Sequence, residues 1–333
     1  VKTSSLLLWF GLLALLPVAE LALPSALHCS EPLRTVFIFT FLALGLHVVT
    51  GLTGQLNLGS AAFMAIGAYA YAISTCEIYP FQLGFWGGVL MALLFGALFG
   101  WLVAIPTVRL RGDYLAIVTL GFGEITQDVL RNFEGITKGT QGLNPLPGPS
   151  IPGLAGSLSS TGWYYFLLLL LLLAVWLCRN LERSIYGLGW SALRLDELAA
   201  ASLGLKIDRL RARALIFGAS LGALAGALYA ASLQTSGEPG NYDFQISVLV
   251  LCCVIIGGLG SLKGVLAGTL LMVGTNSIVL NKLSTWLAES GLVQSSNVMA
   301  SPNNWKFMLF GLVLLLMMRL KPDGLFPQAR KEH

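Results

Sequence analysis

The chain has 333 residues, of which 56% are hydrophobic and only 11% charged, with a mean hydropathy of +0.77 and a formal net charge of +4. A soluble domain carries about 25% charged residues, so this composition excludes a soluble monomer and points to a helical protein that crosses a membrane many times. The five cysteines (Cys29, Cys76, Cys178, Cys252 and Cys253) are odd in number and lack C-x-x-C spacing, which argues against a disulfide framework and against a metal site.

A membrane span needs roughly 20 apolar residues. In chain order the candidates are 5–27, 34–50, 58–76, 83–105, 113–131, 162–179, 213–234, 245–261, 264–281 and 305–320. They predict an all-α polytopic protein of about ten transmembrane or partly re-entrant helices forming a single domain over 1–333. The first candidate has one lysine before a long apolar stretch, as a signal peptide does. It lacks a small-x-small cleavage site before Pro24 and is expected to be a retained span. The 162–179 segment is almost uniformly Leu and is expected to face lipid, with Trp163, Tyr164 and Tyr165 at the interface.

With the N-terminus cytoplasmic and ten crossings, 15 of the 20 Lys and Arg fall on one side and Arg34, Arg131, Lys138, Lys282 and Lys306 on the other. This asymmetry predicts that both termini are cytoplasmic. Three hydrophilic segments result: 132–161 outside, rich in Gly, Pro and Ser; 180–212 inside and basic; and 282–304 outside, around Trp286. The outer segments are either docking surfaces for a soluble partner or plain connectors.

No soluble catalytic machinery is visible. "GGLGSLKG" (257–264) fits neither phosphate-loop spacing nor G-x-G-x-x-G. Four other features stand out. In "GLTGQLNLGSAAFMAIGAYAYA" (51–72), Gly51, Gly54 and Gly59 flank Gln55 and Asn57, and a small-residue helix follows. Glycine is costly inside helices, and unwound backbone survives in a membrane only when buried in protein or lining a cavity. Gln55, Asn57 and Ser60 are therefore candidate contacts for a polar solute, or else part of a tight turn. Ala61 and Gly67 suit close helix approach.

In "RLRGDYLAIVTLGFGEI" (109–125), Glu124 falls 11 residues into a helix starting near Asp113, about 16 Å deep at 1.5 Å per residue. Gly121, Glu124, Asp128 and Arg131 share one helical stripe, with Val118, Phe122, Ile125 and Val129 expected on another face. A carboxylate at that depth faces a water-filled pathway or makes a structural ion pair. "SALRLDELAAASLGL" (191–205) reads as a short cytoplasmic helix with Asp196 and Glu197 in its middle and Gly204 as its terminator. It suits either a soluble partner or lipid headgroups. The glycines of 257–264 suit packing or a hinge more than ligand contact.

At these residues the chain resembles the M-type permease subunits of high-affinity branched-chain amino-acid ABC importers. "GLTGQLNLGSAAFMAIGAY", "RLRGDYLAIVTLGFGEI", "ALRLDELAAASLGL", "GALAGALYA", "GGLGSLKG" and "KPDGLFP" follow the family's motifs in order over about 40–327. The resemblance implies an ABC importer permease fold working by alternating access beside a homologous second permease. It also implies two cytoplasmic ATPases that bind ATP and Mg, a periplasmic solute-binding protein, and a bacterial inner-membrane location in the lipid bilayer. No cofactor is expected in this chain, and no nucleic-acid partner. Asp196, Glu197, Ala199 and Gly204 match the family's ATPase-coupling helix. Gln55, Asn57, Ser60, Thr119, Gly121 and Glu124 match motifs of the translocation region. The family often has Asn where His47 stands and His where Ser60 stands. His47 is thus either a pathway contact or a packed neutral histidine. Alternatives are a permease of this architecture for urea, short amides or another small polar solute, an ion-coupled carrier with Glu124 as the proton site, and a membrane-embedded enzyme.

Overall fold

The computed structural model describes residues 30–107, 112–149, 158–280, 282–284, 305–321 and 324–326, together with residue 110 and six positions among the first twenty. Every regular element among the described residues is helical. Helix α1 (Ser30–Leu46) widens into a π-helical turn, His47–Leu52. Helices α2 (Ser60–Thr75), α3 (Gly84–Thr107), α4 (Asp113–Asn132) and α5 (Ser160–Arg183) follow. The short pair α6 (Ile185–Leu195) and α7 (Glu197–Ser202) leads to the long α8 (Ile207–Leu233). Helix α9 (Phe244–Gly257), α10 (Leu262–Gly274, extended by a π-turn to Leu280) and α11 (Lys306–Leu320) complete the bundle.

Each candidate span from 34–50 onward coincides with one of these helices. The candidate 5–27 and the segment 282–304 lie largely outside the described residues. Among the described residues, six helices are long and apolar enough to cross a membrane by length and composition: α1, α3, α5, α8, α9 and α10 with their short extensions. Helix α2 is apolar but has only 16 residues. Helix α4 has the length, 20 residues, but Asp113, Glu124, Asp128 and Arg131 make it too polar for a lipid-exposed span.

Helix α8 is the hub and packs on α1, α2 and α3. Lipid tails are as apolar as side chains, so helices in a membrane associate by close van der Waals contact between small residues. A Cβ on Gly67 of α2 would fall 2.0 Å from the Ala223 carbonyl oxygen, and one on Gly45 of α1 would fall 2.5 Å from that of Gly218. The same physics holds α9 to α10, where Gly257 and Gly264 meet backbone to backbone, as expected for packing glycines.

Three expectations need correction. Helix α5 is not a lipid-facing rod, because one stripe of it is buried against α1 and only the opposite stripe, including Leu169, Leu173 and Trp176, is exposed. Trp163 and Tyr164 are not interface anchors. They are buried, Trp163 stacked on Phe166 at 5.3 Å and Tyr164 against Phe37 at 5.2 Å. A run of leucines carries no periodic signal to distinguish its two faces. The expected continuous helix over 191–205 is instead broken at Asp196, where the backbone is extended.

At the end opposite the basic residues, the chain after α4 is woven into the bundle. Leu143 donates its N–H to Ser236 Oγ and accepts from the Ser236 N–H, while Tyr69 Oη donates to the Gly237 carbonyl at 2.9 Å and Tyr71 Oη to that of Pro147. This part of 132–161 is a cap rather than a slack connector.

Candidate functional site

The π-turn of α1 ends at Leu52, and the chain runs without regular structure from Gly54 to Gly59 before α2 begins. Gly54 has φ +75°, a conformation that a side chain would strain. Buried backbone polar groups need partners, and two other helices and the segment's own Asn57 supply them. The Leu58 N–H donates to Thr119 Oγ1 of α4 at 3.0 Å, the Gly59 N–H to Asn57 Oδ1 at 2.8 Å, and the Ala61 N–H to Ser247 Oγ of α9 at 2.9 Å. Asn57, Ser60 and Thr119 are all buried, and Ser60 Oγ has no hydrogen-bond partner. Gln55 is half-buried and faces a cavity of about 290 Å³ whose walls also include Gly112, Arg194, Asp196, Glu197 and Arg211.

Helix α4 turns Leu115, Thr119, Thr126 and Gln127 inward, and Phe122 packs on Phe63 with ring centroids 5.5 Å apart. Glu124 and Asp128 are exposed, and nothing lies within 4 Å of where a Gly121 or Gly123 side chain would be. Ile125 and Val129 share this exposed side, whereas Phe122 does not, so the apolar residues expected to group together are split. An acidic stripe on a helix too polar for lipid must be met by water or another chain.

His47 does not join this group. It is completely buried, with Nε2 2.9 Å from Glu182 Oε1 in the last turn of α5 and Nδ1 without a partner. Beyond it, Arg194 of α6 donates from Nη1 to the Gly51 carbonyl at 2.6 Å. Burial lowers the Arg194 guanidinium from its ordinary range, which still leaves it charged at neutral pH.

The hairpin formed by α6 and α7 is held from within. Asp196 Oδ1 accepts the N–H groups of Leu198 and Ala199 at 2.8 and 3.1 Å, an N-terminal cap on α7. Gly204, at φ +79°, ends it: its N–H reaches the Ala201 carbonyl and the Leu205 N–H reaches that of Ala200. Glu197 bridges to Arg211 at 2.9 Å. Leu195, Leu198 and Leu203 stay exposed, and so do Ala199 and Gly204.

Sequence reasoning missed one meeting. Gly324 packs onto Gly258, and the N–H groups of Leu325 and Phe326 donate to the carbonyls of Ile256 and Gly257. The motifs "GGLGSLKG" and "KPDGLFP" are thus two halves of one joint, although nothing in either indicates the other.

The described residues thus form a multi-pass helical bundle with an interrupted helix, an outward acidic stripe and an apolar-tipped hairpin at its basic end. The family model for the branched-chain amino acid transport system permease component matches residues 30–318. The chain is 36% identical to the high-affinity branched-chain amino acid transport system permease protein LivM of Salmonella typhimurium, over 89% of this chain and 69% of that one. The figures for LivM of Escherichia coli are the same. It is also 27% identical to the autoinducer 2 import system permease protein LsrC of Klebsiella pneumoniae, over 100% of this chain and 90% of that one. No solved structure matches. The chain belongs to the branched-chain amino acid transport system permease family. It is the transmembrane permease component of an ABC-type importer, a transport subunit in a family whose ATPase activity resides on separate subunits.

Proposed function

We propose that this chain forms half of the translocation pathway for branched-chain amino acids, beside a homologous second permease. Of two ATPases that carry ATP and Mg, one docks on this chain's α6–α7 hairpin through Leu195, Leu198 and Leu203, and the other on the matching hairpin of the second permease. A periplasmic solute-binding protein delivers the amino acid to the cap within 132–161. The membrane is the bacterial inner membrane, with both termini cytoplasmic.

The observation that carries this reading is a stripe on α4 in which Glu124 and Asp128 are exposed beside half-buried Gly121. Such a stripe is costly against lipid and suits a shared, water-filled path. Gly121 and Glu124 line it, and Gln55 stands at its inner mouth. Asn57, Ser60 and Thr119 hold the interrupted segment beside it, while Asp196, Glu197, Ala199 and Gly204 shape the hairpin. Leucine uptake into proteoliposomes holding the full importer tests the reading. ATP-dependent uptake that needs the binding protein supports it, and uptake that survives ATP depletion but collapses with an ionophore would overturn it.

A second reading, another small polar solute, has one specific support: the similarity to an autoinducer 2 import permease spans the whole chain. Ligand screening of the cognate binding protein separates the two.

A further inference from the structure

The π-turn His47–Leu52 is gripped at two points about one helical turn apart, by the consecutive helices α5 and α6. Glu182, in the last turn of α5, holds His47 Nε2 at 2.9 Å. Arg194, in the last turn of α6, holds the Gly51 carbonyl at 2.6 Å. The second contact is a helix cap supplied from elsewhere in the chain. The final carbonyls of a helix lack intrahelical partners, and here the Thr50 carbonyl takes the Gly54 N–H while that of Gly51 takes the guanidinium. A cation also suits the negative end of the helix dipole. Gly51 has room for no side chain, since a Cβ there would lie 2.6 Å from His47 Nδ1. Single π-turns are rare and concentrate where helices serve function.

From this turn the chain passes directly into the interrupted segment, whose Leu58 N–H rests on Thr119 of α4. Thr119 lies five residues before Glu124 on the same helix. Two polar contacts, Arg194 to Gly51 and Leu58 to Thr119, therefore tie the hairpin and the pathway helix to the two ends of one short backbone segment.

We infer that Arg194 and the His47–Glu182 pair are positioning residues of the transport cycle, which carry displacement of the α6–α7 hairpin into the π-turn of α1 and, through Thr119, into α4. The inference rests on the proposal that an ATPase docks on that hairpin. The test measures the energetic linkage between the hairpin and the pathway.

The measurement is the number of solute molecules taken up per ATP hydrolysed by the complete importer in proteoliposomes, with assembled complex quantified separately. Arg194→Met keeps the side-chain stem and removes the donor, and Glu182→Ala removes the partner of His47. Each is expected to assemble and to hydrolyse ATP near the wild-type rate while uptake per ATP falls about ten-fold, within the usual range of coupling between sites. The double variant should fall no further than the worse single one, as for two parts of one link. Arg194→Lys and Glu182→Gln, which retain a hydrogen bond, should recover most of the ratio. An unchanged ratio overturns the inference. So does failure of Arg194→Met and Glu182→Ala to assemble, which would make these contacts structural. If the wild type carries a solute other than a branched-chain amino acid, the functional proposal fails while the ratio is still read on that solute.

Discussion

Gly226 of α8 lies so close to Met64 of α2 that a methyl group on the glycine would stand 1.8 Å from the Met64 carbonyl oxygen. The obstacle is backbone, so no rotamer change relieves it. Gly226→Ala should force the two helices apart at a cost of about 1–3 kcal/mol, the usual range for overpacking. Thermal unfolding of the purified chain in detergent should show a clear drop. Gly123→Ala, with nothing within 4 Å of the new methyl group, should instead gain about 1 kcal/mol from helix propensity.

The exposed stripe on α4 makes a different demand. Gly121→Leu should leave folding of the isolated chain unchanged, because open space surrounds the position, yet abolish uptake by the complete importer. Glu124→Gln should assemble normally and transport more slowly. Separate assays of assembly and uptake check both. Normal uptake by Gly121→Leu would place the pathway elsewhere.

Thr119 offers a test of the interrupted segment. Thr119→Val keeps the shape but leaves the part-buried Leu58 N–H without its acceptor. An unsatisfied donor costs about 1–3 kcal/mol, so the unfolding midpoint should fall and uptake with it. Thr119→Ser, which keeps the hydroxyl, should behave as wild type.

At the hairpin, Asp196→Ala removes the cap from α7, a loss of about 1 kcal/mol. Hydrogen exchange at the Leu198 and Ala199 amides should quicken, and stimulation of the ATPases should weaken. Asp196→Asn, which still accepts a hydrogen bond, should protect both properties. Unaltered ATPase stimulation in the Ala variant would separate α7 from ATPase coupling.

Much of the architecture was legible from the residues alone. Helix positions from 34–50 onward followed from apolar runs, the terminator Gly204 from residue type, and the packing glycines of 257–264 from their spacing. The orientation of helix faces was less legible. The stripe of Gly121, Glu124 and Asp128 was visible, but Ile125 and Val129 were assigned away from it. Periodicity reports a polarity contrast, and on α4 the exposed side carries both acids and apolar residues. The family's usual Asn at this position leaves His47 as either a pathway contact or a packed histidine, and nothing nearby in the sequence decides between them. The actual partner of His47, Glu182, is 135 residues away.

By itself the sequence determined a multi-pass helical membrane protein and the succession of its apolar segments, while the permease family entered through the resemblance of its motifs. The first two depend on local composition and on lengths matched to a bilayer. Only the tertiary structure decided which faces meet: Trp163 and Tyr164 inside the bundle, "GGLGSLKG" joined to "KPDGLFP", and Arg194 capping a helix 143 residues before it. The reason is physical. In a membrane, lipid and protein interior are equally apolar, so hydropathy cannot separate a lipid-facing leucine from a buried one. Small-residue contacts and scattered hydrogen bonds choose the partners.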